Sequence, residues 1–199
     1  GISSTINNAF VCKEEMQEKY PDAEICVFDS ICASGGHGLL IYHAIENKKK
    51  GMSVTENMQA LEELKHRIVH KFTVDDLTYL QRGGRISKTA AVIGGMIQLK
   101  PVLHVDTEGR LAAESKVRGR KKALNQLLAE MDICTGSYAD KQDVVLICHA
   151  DCPEDAEYVR AKVEEKYHPN KIIMSEVGPI VGAHVGPGTM VLIFEGDKR

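Results

Sequence analysis

The stretch "GPIVGAHVGPG" (178–188) sets one imidazole, His184, among four glycines and two prolines, directly ahead of the apolar run "TMVLIFE". Four chemistries fit a histidine in so bent a segment: a phosphate cradle, a metal ligand, a catalytic base, or a plain turn. "HVGPG" lacks the pattern of a Walker loop or a dinucleotide fingerprint. A glycine-rich bend leaves backbone N–H groups free to converge on an anion. A neutral imidazole adds one further donor, and a protonated one adds charge. Ser3, in the opening "GISST" loop, is a second hydroxyl donor at a helix N-terminus. Serine, histidine, arginine and backbone amides suit an oxyanion, and they include no acidic pair for metal-assisted hydrolysis.

Two basic motifs accompany them. "LQRGGRIS" (80–87) sets Arg82 and Arg85 astride a glycine pair. Guanidinium forks aimed at an anion or an acidic partner explain this. So does a helix C-terminus that attracts cations and is closed by Gly83 in the left-handed region. "KVRGRKKA" (116–123) puts five cations, Arg118, Lys121 and Lys122 among them, before or at a helix N-terminus. That end of a helix repels cations, so the cluster leans towards function, facing nucleic acid, a phosphate or a carboxylate. "HADC" (149–152) has no second pair at zinc spacing and reads as a strand-to-helix loop with Asp151 as the N-cap. The glycine pair in "GGMIQLK" is compatible with helix packing or with room for a long slender ligand.

These residues sit on a chain of 199 residues, 43% hydrophobic and 27% charged, enough for one large or two small domains with a proper core. A net charge of −3 argues against a dedicated nucleic-acid binder. No apolar stretch is long enough to span a bilayer. The six cysteines form no C-x-x-C pair and read as reduced thiols of a cytoplasmic protein.

The pattern predicts helices over 5–20, 36–51 and 53–71, the last opened by a capping box at Ser53 and Glu56. It predicts a buried strand over 23–30, and this alternation points to an α/β layer with parallel strands. Then follow a strand over 71–74, a short helix over 75–81, an apolar helix over 87–100 and a hairpin over 101–117 turned at "TEG". A helix over 118–132, strands over 143–150, 171–177 and 189–196, and a helix over 153–167 with Pro153 in its first turn complete the chain. The change of texture near residue 72 divides an α/β half (1–72) from an α+β half (73–199). The opening "GISSTINNAF" enters directly on a helix start, so a preceding segment is expected.

"GISSTINNA", "FTVDDLTYLQRGGRIS", "QLKPVLHVDTEGRL", "VRGRKKA" and "VGAHVGPGTMVLIF", in this order and spacing, resemble the DegV family of bacterial fatty-acid-binding proteins across essentially the whole chain. The resemblance implies a two-domain fold with an acyl chain buried between an α/β N-terminal half, here incomplete, and an α+β C-terminal half. It implies that Ser3 and His184 hold the fatty-acid carboxylate, with Arg118 in support, and that the front part of the family's N-terminal domain is missing. Ser4 stands where the family usually has glycine. Several family members carry palmitate-like chains to a fatty acid kinase subunit that feeds phospholipid synthesis, without themselves catalysing the transfer.

The resulting expectation is a non-enzymatic, cytoplasmic carrier of a long-chain fatty acid, with no metal, no cofactor and no nucleic-acid partner. Arg82, Arg85, Lys121 and Lys122 are expected to serve a docking kinase subunit. The rival is a hydrolase or phosphotransferase with His184 as general base, although no nucleophile elbow, P-loop or catalytic carboxylate pair is visible.

Overall fold

A computed structural model of the chain describes residues 1–87 and 99–199. Among these, six strands form one sheet in the order β3-β2-β1-β6-β4-β5. The strands are β1 (Ile68–Thr73), β2 (Leu99–Val105), β3 (Leu111–Arg118), β4 (Val144–His149), β5 (Lys171–Glu176) and β6 (Met190–Glu195). Only β4 and β5 run parallel; the other neighbours are antiparallel. Seven α-helices accompany them: α1 (Thr5–Lys19), α2 (Gly35–Lys49), α3 (Val54–Leu64), α4 (Leu77–Arg82), α5 (Arg120–Thr135), α6 (Pro153–Tyr167) and α7 (Pro179–Val185).

Strand alternation builds two cores. Ile68, Phe72, Val191 and Ile193 point to the face shared with α2 and α3. Val69, Leu192 and Phe194 point the other way, onto Leu124, Leu127 and Met131 of α5 and Val159 and Val163 of α6. A sheet buried on both faces gives fully buried central strands, as β1 and β4 are.

Several sequence expectations meet a correction here. The helix read over 53–71 keeps its capping box but stops at Leu64, and β1 takes residues from Ile68 on. His70 and Lys71, at the end of the helix read over 53–71, are both buried in β1: the Ala33 N–H donates to His70 Nε2 (3.4 Å), and the Lys71 ammonium meets both Glu114 oxygens at 2.7 Å. The run 23–30 forms no strand, because a strand needs a ladder partner and none of the described residues supplies one. The N-cap of α6 is Cys152; Asp151 lies in the left-handed region (φ 55°) and cannot take that place. The helix expected over 87–100 lies largely outside the described residues, and Leu99 and Lys100 already belong to β2.

The "GPIVGAHVGPG" bend is itself partly helical. Pro179 enters at the first turn of α7, the Gly182 N–H donates to the Gly178 carbonyl, and His184 falls in the last turn. The stretch was read as a tightly bent loop, whereas proline at a first turn is favourable and lets a short helix start at Pro179.

Candidate functional site

Helix α7 packs on α4, and this contact brings the two glycine motifs together. Asp76 starts α4 by accepting the Thr78 N–H (2.8 Å), and hydrogen bonds from the Thr78 hydroxyl and then from this N–H hold its carboxyl below the usual range. At the other end of α4, Gly84 is the residue in the left-handed region (φ 70°), and Gly83 is not. Gly83 serves a different purpose. A Cβ on it would lie 2.1 Å from His184 Nδ1, so the half-buried imidazole rests on bare backbone. Arg85 reaches the same residue: its Nη1 donates to the Gly83 carbonyl at 2.5 Å.

A cavity of about 840 Å³ opens beside this contact. Leu77, Ile86, Pro101, Leu103 and Leu111 supply apolar wall, and Arg85, Arg110 and Lys116 supply three cations. Ile2 and Gly84 also line it. The cavity therefore takes chain neighbours of both Ser3 and Gly83, the seat of His184. Among the described residues Ser3 and His184 share no hydrogen bond; the Ser3 hydroxyl is exposed, accepts the Thr5 N–H at 3.2 Å and pairs with the Thr5 hydroxyl at 2.7 Å.

The other basic residues lie outside the cavity wall. Arg118 ends β3 opposite Leu99 and is exposed. Lys121 and Lys122 are exposed in the first turn of α5, and Arg82 is exposed at the end of α4. Sequence reasoning singled out neither Arg110 nor Lys116 as a cavity cation. Strand alternation would send Leu111 and Ala113 to the cavity but Lys116 to the other face; a register shift in the β2–β3 ladder brings Lys116 round to the cavity, and no local pattern reveals it. No group of three or more His, Cys, Asp or Glu side chains placed to hold a metal occurs among the described residues.

The profile described as "Uncharacterised protein, DegV family" matches residues 1–197. The chain belongs to the DegV family. It is 41% identical over 198 residues to a DegV domain-containing protein of Clostridium perfringens, covering 100% of this chain and 67% of that protein. DegV relatives are thus longer, and this chain spans about two thirds of their length. Among solved structures, the chain resembles a DegV family protein from Thermus thermophilus described by its fatty acid binding (27% identity, TM-score 0.84, 98% of this chain and 67% of that one). It also resembles the Streptococcus pneumoniae fatty acid kinase (Fak) B3 protein loaded with linoleic acid (TM-score 0.90, 98% and 68% covered), where 21% identity speaks for the fold alone. The mixed α/β architecture is that of these DegV proteins. No helix among the described residues is long and apolar enough to cross a membrane.

Proposed function

We propose that this DegV chain binds a long-chain fatty acid, with the tail in the cavity beside α4 and the carboxylate held by Ser3 and His184, supported by Arg118. The observation that carries this reading is the cavity itself: apolar wall from Leu77 to Leu111, a cationic rim, and the His184 seat next to Gly84. Its volume of about 840 Å³ lies within the ~300–1,000 Å³ of small-molecule pockets. A carboxylate leaves water only where donors replace its hydration, and hydroxyl, imidazole and guanidinium groups do so without a metal. Each methylene buried from an acyl tail contributes about 0.8 kcal/mol, part of which is offset by lost ligand freedom.

The cavity draws Gly1 and Ile2 from the 1–72 portion and its other walls from the 73–199 portion, which supports a ligand held between two units. Arg82, Arg85, Lys121 and Lys122 exceed what one carboxylate needs. In this reading they guide a kinase subunit to the loaded carrier in the cytoplasm, and the chain itself catalyses nothing.

The test is lipid extraction of the purified protein followed by mass spectrometry, with dissociation constants for palmitate and its methyl ester. Recovery of C16–C18 acids and a clear preference for the free acid are expected. Equal affinity for acid and ester would overturn the carboxylate assignment.

A further inference from the structure

Arg120 lies inside the basic motif that the docking reading uses, yet its side chain turns into the protein. Its Nε donates to Asp155 Oδ2 at 2.7 Å, its Nη1 to Asp75 Oδ1 at 3.4 Å and its Nη2 to Cys152 Sγ at 3.5 Å. The Cys152 thiol in turn donates to the Thr189 carbonyl at 3.3 Å. Burial pushes this thiol up, so it stays protonated and able to donate. Thr189 is fully buried, and its hydroxyl donates to the Val185 and Gly186 carbonyls at 3.1 and 2.9 Å. Those carbonyls end α7, immediately after His184. A second arm reaches the same turn: Asp75 is held by Lys100 at 2.7 Å, and a Cβ on Gly188 (φ 73°) would lie 2.4 Å from Asp75 Oδ2. The turn that follows His184 is therefore seated directly on the carboxylate that Arg120 and Lys100 hold.

We propose that Arg120 is the positioning residue for His184: its three-way contact with Asp155, Asp75 and Cys152 fixes the last turn of α7 and so the imidazole over Gly83. This rests on the reading of His184 as a carboxylate donor. A guanidinium serves three directions at once from one rigid plane, which a lysine ammonium cannot reproduce. Without the clamp, the seven residues of α7 are held by their packing on α4 and by Val181 and Val185 in the core. Such a helix is too short to hold its last turn by itself.

The experiment is a double-mutant cycle on palmitate affinity, with Arg120→Gln, His184→Ala and their combination, and with thermal melts of each. Arg120→Gln is expected to weaken binding about tenfold, the size of one lost charged hydrogen bond. In the His184→Ala background it is expected to cost little. Arg120→Lys should weaken binding nearly as much as Arg120→Gln. Should Arg120→Gln fail to fold, Thr189→Val and Thr189→Ser interrupt and preserve the same chain at its far end; the valine variant is expected to lose affinity and the serine variant to keep it. Histidine ring resonances of the unliganded protein give an independent readout, with the His184 signals moving in Arg120→Lys. Wild-type affinity in His184→Ala would overturn the carboxylate reading and this inference with it. Weakened His184→Ala together with a wild-type Arg120→Gln, or fully additive losses, would overturn the positioning role alone.

Discussion

Lys71 and Lys116 stand on opposite faces of the same sheet. Beneath α5, Lys71 is 2% exposed, and its ammonium meets Glu114 at 2.7 Å and Glu130 at 3.8 Å. Gln126 donates to Glu130 at 2.8 Å, and His104 lies 3.7 Å from Glu114, its imidazole held neutral by burial and by Lys71. On the cavity face, neither Lys116 nor Arg85 has an ion pair among the described residues. A buried charge costs several kcal/mol unless a counter-charge is supplied. Beneath α5 the fold supplies it. At the cavity Arg110 pairs with Glu108 (2.5 Å), while Lys116 and Arg85, both half-buried, stay partly in contact with water. The same residue type is thus a structural tie on one face and a half-buried cavity cation on the other.

Breaking the structural tie should have the largest effect. Lys71→Ala leaves Glu114 and Glu130 without their cation and is expected to cost ~3 kcal/mol or more of stability. Urea denaturation measures this; an unchanged midpoint would show that the cluster is solvated. Lys116→Ala should leave the midpoint where it is, which completes the contrast.

A second ordering group sits on the cavity side of β1. Burial pushes the His70 imidazole down to about 3, with Arg199 adding to the effect. The sign follows from the neutral folded form: below the ordinary histidine range the unfolded chain takes up a proton that the folded protein refuses. Stability is therefore fully present well above pH 6.5 and falls as pH drops towards 3, by about 2 kcal/mol between pH 7 and 5. Unfolding free energies at pH 7 and 5, compared with those of His70→Gln, isolate this contribution. A variant with the same pH slope would assign the loss to carboxylates.

On the cavity side, under the proposed binding function, Ser3→Ala and His184→Ala are each expected to weaken palmitate binding by about tenfold, or ~1.4 kcal/mol. Because both side chains are exposed or half-buried, unfolding should change little. Titration calorimetry with palmitate provides the check, and a variant that loses stability and affinity together would erase the distinction between the two faces. The smallest effect is reserved for Lys121→Glu and Lys122→Glu. These exposed charges should slow association with a kinase subunit at low salt while leaving the lipid dissociation constant unchanged. A matching loss of lipid affinity would move both lysines from docking to the ligand.

Much of this arrangement was legible in local patterns. The capping box at Ser53 and Glu56, the proline-led α6 and the hairpin of β2 and β3 depend on contacts close in sequence, and each appears where its residues predict; the apolar β6 also appears where predicted, although its ladder partners β1 and β4 are distant in sequence. His184 stood out because glycine and proline around an imidazole are rare enough to draw notice. The failures share one cause. His70 and Lys71 are polar residues whose partners, Ala33 and Glu114, lie 37 and 43 positions away. No local period reveals that they are buried. The run 23–30 is apolar enough for a strand, but pairing is a property of two segments and cannot be read from one.

Composition, periodicity and turn chemistry, all set by nearest neighbours along the chain, determined the order of most elements and marked His184 and the arginine pair as chemically capable. The family resemblance followed from the same linear spacing. Only the tertiary structure decided that Gly83 is bare because an imidazole rests on it, and that Lys116 of β3 lines a cavity while Arg118 of the same strand does not. It also decided that Arg120 turns inward while Lys121 and Lys122 do not. The reason is range: side-chain type and spacing act within a few residues, whereas burial and ion pairing are settled by segments that meet only after the sheet has formed.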